Sequence, residues 1–198
     1  MSQILLHRVL PFSKRLMSAT ILPGESVVDA TAGNGNDTFF LAELVGEDGK
    51  VFAFDIQQAA LEATAGRLGE LTSRVNLILD SHADVDRYVN QPIGGAMFNL
   101  GYLPYSDDKS IITKPKSTIQ AIHKLLGMLK KGGIITISVY DGHDGGKEER
   151  DALLAYVKTL HQADVHVIRY ELLNQRNNPP FLVALEKVRD FEEVVRVD

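Results

Sequence analysis

The chain has 198 residues, which suits one domain with one sizeable core, able to bury roughly 70% of its unfolded surface without covalent staples. At 44% hydrophobic and 24% charged residues it has the composition of an ordered globular domain, and its lack of cysteine excludes disulfides, thiolate metal sites and a cysteine nucleophile. The net charge of −5 gives no global electrostatic case for nucleic acid, and no apolar run nears the roughly 20 residues of a membrane span, so a cytoplasmic location is expected.

In chain order, the apolar stretch 4–17 is interrupted by His7, Arg8, Pro11, Lys14 and Arg15. Strands are expected at 26–31, 50–55, 75–80, 95–99, 133–140, 165–172 and 181–186, and helices at 37–45, 57–71, 116–130 and 147–162. The second helix shows the spacing: Leu61, Thr64, Ala65, Leu68 and Leu71 recur three or four apart. Lys131-Gly132-Gly133 reads as the stop of the third helix, with basic residues for the dipole and glycine for the cap. Between the last two strands lies a polar loop, Asn174 to Pro180, with no helix, which predicts a hairpin and one antiparallel edge strand. Residues 189–198 read as a tail. The pattern predicts an α/β, Rossmann-like three-layer sandwich in a single domain, 1–198, with a seven-stranded, mostly parallel sheet and an antiparallel terminal hairpin.

In such a sheet ligands bind beyond the carboxyl ends of the strands, where strand order reverses. The first strand runs into Asp29-Ala30-Thr31-Ala32-Gly33-Asn34-Gly35-Asn36-Asp37-Thr38. Gly33 and Gly35 let the backbone turn tightly against a ligand, or simply turn into a capped helix. The third glycine of a dinucleotide fingerprint and a basic residue for phosphate are both missing, which favours a ligand without pyrophosphate. Asp29 can accept from an amino-acid ammonium, directly or through water, while Asn34, Asn36 and backbone N–H groups can hold its carboxylate. Asp37 joins them or only caps the helix. Asp55, with Gln57 beside it, ends the second strand where an acid grips ribose hydroxyls, or caps the helix that follows. After the third strand, Ser81 and His82 can hydrogen-bond an adenine edge; Ser81 could equally cap, and His82 could equally face solvent.

The fourth strand ends in Phe98-Asn99-Leu100-Gly101-Tyr102-Leu103-Pro104. Amino-directed methyltransferases place an Asn/Asp-Pro-Pro-aromatic turn here, whose Asn side chain accepts from the target amine. Asn99 is present and the proline pair is not, so Gly101 and Tyr102 must shape the turn. Beyond the fifth strand, Tyr140-Asp141-Gly142-His143-Asp144-Gly145-Gly146 makes a glycine-rich loop in which Tyr140 can stack on a base and His143 can relay a proton, unless it is only a solvated surface loop. Lys14, Arg15, Lys109, Lys114 and Lys116 are candidates for RNA phosphate contact, against ordinary solvated lysines.

Taken together, the strand-end segments resemble class I S-adenosylmethionine-dependent methyltransferases. Asn99-Leu100-Gly101-Tyr102-Leu103-Pro104 and Asn177-Asn178-Pro179-Pro180-Phe181 resemble, more specifically, the bacterial rRNA-methylase-like family that includes tRNA 5-aminomethyl-2-thiouridine methyltransferases. The resemblance implies S-adenosylmethionine as cofactor, S-adenosylhomocysteine as product, and no metal. It also implies methylation of the exocyclic aminomethyl nitrogen at the wobble uridine in the anticodon region of tRNA, by a homodimer with no membrane partner. Asn99, Tyr102 and His143 are the candidates for the reaction centre, and Gly101, Tyr140 and Lys109 for the substrate side. Tyr105-Ser106-Asp107-Asp108 departs from the family pattern. The alternative is a methyltransferase acting on rRNA or a small-molecule amine.

Overall fold

The computed structural model describes residues 6–101, 113–142, 145–177 and 179–190. Its first element, α1 (Val9–Thr20), is absent from the expected set. Val9, Ser13 and Met17 recur four apart and form one buried stripe, and Pro11 falls in the first turn, where its missing N–H leaves no bond unmade. All seven expected strands form: β1 (Ser26–Asp29), β2 (Lys50–Asp55), β3 (Val75–Leu79), β4 (Ile93–Leu100), β5 (Leu129–Val139), β6 (Val165–Tyr170) and β7 (Phe181–Lys187). So do the four crossover helices, α2 (Asn36–Val45), α3 (Gln58–Leu68), α4 (Pro115–Met128) and α5 (Gly146–Val157).

The sheet order is β3-β2-β1-β4-β5-β7-β6, with β1 to β5 paired in parallel and β7 antiparallel to both neighbours. The terminal hairpin is present, but its antiparallel strand is not the edge strand: β7 inserts between β5 and β6, and the edge, β6, runs parallel to β5. Burial explains the choice. Phe181, Leu182, Val183, Ala184 and Leu185 are apolar on both faces, as an interior strand requires, whereas β6 leaves His166 and Arg169 exposed.

Alternation along the inner strands divides the core. Val27, Val51 and Ala53 face α1, α2 and α3 through Met17, Ile21, Leu41, Val45 and Leu61. Val28, Phe52, Phe54 and Phe98 face α4 and α5 through Ile122, Leu125, Leu126, Leu153 and Val157.

Several boundaries differ from expectation, among them α5, which ends at Val157, and two have identifiable reasons. The helix expected to reach residue 71 stops at Leu68, and Gly69–Arg74 tighten into a 3-10 turn. The Lys131-Gly132-Gly133 stop is not used: α4 ends at Met128 and the chain enters β5 at once, because Leu129 is buried and pairs with Ile93. The start of the expected tail is tied down, since Arg189 Nε donates to Asp164 at 2.5 Å and the Val188 N–H bonds the Asp164 carbonyl.

Candidate cofactor and substrate site

The strand order reverses between β1 and β4: the chain leaves β1 toward β2 and leaves β4 toward β5, so a crevice opens beyond their carboxyl ends. Two surface clefts of about 490 and 310 Å³ lie at the opposite, amino edge, the first lined by Lys131, His166 and Lys187, the second by Ser26, Gln91 and Lys130. Neither contains a candidate site residue.

Asp29 is buried at the end of β1, 1% exposed. Its oxygens accept from Thr38 Oγ1 at 2.6 Å and from the Thr31 N–H at 3.1 Å. Burial, with Asp37 nearby, pushes the Asp29 carboxyl from 3.8 up to about 7, against the pull of those two bonds. Because the folded-state pKa exceeds the unfolded one, the native state binds this proton more tightly, and stability falls as pH rises from about 4 through about 7. Asp29→Asn is therefore expected to flatten the pH dependence of the urea midpoint between about pH 4 and 7, a difference on the order of a few kcal/mol. Equal slopes in both proteins would refute this.

Gly33 and Gly35 make the turn, with φ of 53° and 77°. A Cβ on Gly35 would stand 2.8 Å from Thr64 Cα in α3, so glycine there is required by the packing of the turn on a helix. Thr64 Oγ1 donates to the Gly33 carbonyl at 3.2 Å and Arg67 Nε to the Asn34 carbonyl at 2.7 Å. The Asn34 side chain is half-buried, and Asn36, the first residue of α2, is exposed.

Asp55, half-buried at the end of β2, accepts from the Gly33 N–H at 3.0 Å and the Gln57 N–H at 2.9 Å. It thus ties the glycine turn to β2 and keeps lone pairs to spare. Ile56, beside it, is 59% exposed, an apolar surface at this edge that the sequence reading passed over. Ser81 Oγ accepts from the Ala83 N–H at 3.2 Å and caps a 3-10 segment, His82–Arg87. His82 does not face solvent. It is buried, its ring meets Phe98 edge-on at 5.6 Å, and Nδ1 lies 2.9 Å from the Ala30 carbonyl. A carbonyl only accepts, so Nδ1 carries the hydrogen and Nε2 is an acceptor, buried and without a partner among the described residues. Burial depresses the pKa and keeps the ring neutral.

Asn99 lies at the end of β4 with its N–H donating to Thr31 Oγ1 at 2.8 Å. Its Nδ2 donates to Asp37 Oδ2, and its Oδ1 is buried with no partner among the described residues. Asp37 Oδ1 pairs with Lys14 at 3.0 Å. Lys14 is thus committed to Asp37 rather than to an external phosphate, whereas Arg15, Lys114 and Lys116 are exposed, Arg15 lying 3.1 Å from His7 Nε2. The Tyr140 hydroxyl feels Asp37: burial, with the Asp37 charge, pushes Tyr140 above its usual range, so it stays a proton donor.

Gly101 closes on Thr113 through two bonds, its N–H to Thr113 Oγ1 at 3.2 Å and its carbonyl to the Thr113 N–H at 3.3 Å. Glu149, 2% exposed, accepts from Thr113 Oγ1 at 2.6 Å and Thr118 Oγ1 at 2.8 Å. Tyr102, Lys109 and His143 lie outside the described residues. From the sequence, Lys14 is a candidate for RNA phosphate and not the partner of Asp37, because α1 is absent from the expected set; the four-residue spacing of Val9, Ser13 and Met17 was the available signal. Glu149 had no signal, since nothing local distinguishes it from its exposed neighbour Glu148. Among the described residues no group of three or more acidic or His side chains could hold a metal, and no helix is long and apolar enough to cross a membrane.

This strand order, with a glycine turn and paired acids at the crevice, is the fold of class I S-adenosylmethionine-dependent methyltransferases. Residues 51–186 match the family described as "Putative rRNA methylase", and the chain belongs to that family. A structure described as a "putative rRNA-methylase" from Clostridium thermocellum is 46% identical, with 93% of this chain and 100% of that chain covered and a TM-score of 0.90. A Streptococcus mutans protein described as "a putative methyltransferase" and solved with S-adenosylhomocysteine is 44% identical, with 92% and 99% covered and a TM-score of 0.85. The chloroplastic tRNA (mnm(5)s(2)U34)-methyltransferase of Arabidopsis thaliana is 37% identical over 179 residues, 84% of this chain; the chain spans 65% of that relative's length.

Proposed function

We propose that this protein is an S-adenosylmethionine-dependent N-methyltransferase acting on the exocyclic aminomethyl nitrogen of 5-aminomethyl-2-thiouridine at the tRNA wobble position. The observation that carries the reading is Asn99: its amide nitrogen is taken by Asp37, and its oxygen, at the switch point, is an acceptor without a partner among the described residues. An amine N–H suits that oxygen. The 37% identity to a tRNA wobble-uridine methyltransferase supports the substrate class.

The residues fit the cofactor. Asp55 would hold the ribose hydroxyls with its spare lone pairs, Ile56 would flank the adenine, and backbone N–H groups of the turn would hold the amino-acid carboxylate. His82 Nε2 is a buried acceptor that a donor on the bound molecule could satisfy. S-adenosylmethionine, when bound, supplies an electrophilic methyl carbon and leaves as S-adenosylhomocysteine. The protein's share of the chemistry is placement. Asn99 Oδ1 accepts one N–H of the neutral amine and so aims its lone pair, while the proton shed after transfer goes to solvent. Tyr140, half-exposed and protonated, offers a face on which the base can stack.

The test is methyl transfer from labelled cofactor to tRNA carrying aminomethyl groups, to rRNA and to a small-molecule fraction, followed by nucleoside mass spectrometry. The expected result is one methyl group gained by the aminomethyl nucleoside. Label confined to rRNA or to small molecules would overturn the reading.

A further inference from the structure

Lys14, Asp37 and Asn99 come from α1, α2 and β4 and meet end to end at the carboxyl edge of the sheet. Asp37 is 7% exposed, and a carboxylate so buried requires a counter-charge. Lys14 supplies it at 3.0 Å, and its ammonium is seated further by the Asn36 carbonyl at 3.4 Å and the Phe40 ring at 5.0 Å. An ammonium only donates and an ionised carboxylate only accepts. The Asn99 amide next in line must therefore turn its nitrogen to Asp37 and its oxygen away, which leaves Oδ1 without a partner among the described residues.

We infer that Asp37, seated by Lys14, is the positioning residue that sets the polarity of Asn99 and so restricts the site to nucleophiles with a hydrogen to donate. The inference rests on the aminomethyl reading above and moves Asp37 from the cofactor to the substrate side. Without that carboxylate the Asn99 amide can turn over and present a donor, which repels an amine N–H and suits an acceptor nucleophile instead.

The test is a charge-order swap in the full-length protein, with single-turnover transfer to aminomethyl-tRNA and calorimetric affinity for S-adenosylhomocysteine as readouts. Asp37→Asn is expected to slow transfer about 100-fold because the amide loses its fixed orientation, and Asn99→Asp by a similar factor because two carboxylates then face each other. In the double variant the amide now at position 37 donates to the carboxylate now at position 99, restoring an acceptor toward the substrate. It should recover at least about 10-fold over either single change, a coupling that independent structural damage would not produce. Affinity for S-adenosylhomocysteine should hold in all three. Slow exchange of the Asn99 side-chain amide protons, lost in Lys14→Ala and Asp37→Ala, reads the orientation by NMR without turnover. A double variant that folds but transfers no faster than the singles would overturn the inference, as would lost cofactor affinity in Asp37→Asn or an Asn99 amide that exchanges equally fast in every protein. If the native protein methylates no aminomethyl nucleoside while its Asn99 amide remains protected, the substrate reading fails and the positioning role stands.

Discussion

Asn99→Ala is expected to lower kcat by about 100- to 1,000-fold while leaving the affinity for S-adenosylhomocysteine unchanged. The residues proposed to hold the cofactor, Asp55 and the glycine turn, are held by one another and by α3, not by the Asn99 side chain. Truncation removes the acceptor that aims the amine, and loss of alignment at a reacting centre is worth about 100-fold in rate, with lost hydrogen bonding in the transition state adding to it. Asp37 keeps Lys14, so the fold should survive. Single-turnover kinetics with calorimetry separates the two quantities; unchanged kcat would remove Asn99 from the reaction, and lost cofactor affinity would move it to the cofactor site.

Gly35→Ala should destabilise the protein by about 3 kcal/mol, combining the cost of a left-handed conformation with overpacking. The clash is with Thr64 Cα, a backbone atom that no rotamer change can move away. Because Thr64 also bonds the Gly33 carbonyl, the turn and α3 separate together, and affinity for S-adenosylhomocysteine should fall with stability. Gly66→Ala is the internal control: it lies in the same helix, its Cβ would meet nothing within 4 Å, and it should stabilise by about 0.5–1 kcal/mol. Urea denaturation of the pair checks both signs. A Gly35→Ala protein as stable as the native one would mean that the turn can shift away from α3.

Much of the architecture was legible from local pattern. Short apolar runs ending in Asp29, Asp55 and Asn99 alternated with helical spacing, and strands buried on both faces announce themselves in this way. The turn residues at the crevice were legible for the same reason, since a glycine pair and a strand-terminal acid are local features. Less legible was α1, whose stripe is carried partly by Ser13, a polar residue buried because its hydroxyl donates to Thr136 Oγ1 at 2.9 Å across 123 residues. A pattern built on apolar residues passes over such a position. The place of β7 inside the sheet was likewise open, because a hairpin loop shows that two strands pair but not which of them joins the rest.

Local order by itself therefore determined the α/β class, the seven strands, the crossover helices and the residues that reach the crevice. What only the tertiary structure decided is what those residues do there. Asp37 stands next to the glycine turn in the chain and serves Asn99 across 62 positions; Gly35 answers to Thr64 in α3; His82 points inward to the Ala30 carbonyl. A hydrogen bond or a steric contact depends on which atoms the fold brings within about 3 Å. Spacing along the chain carries that information only within one helix or strand, and these partners come from different elements.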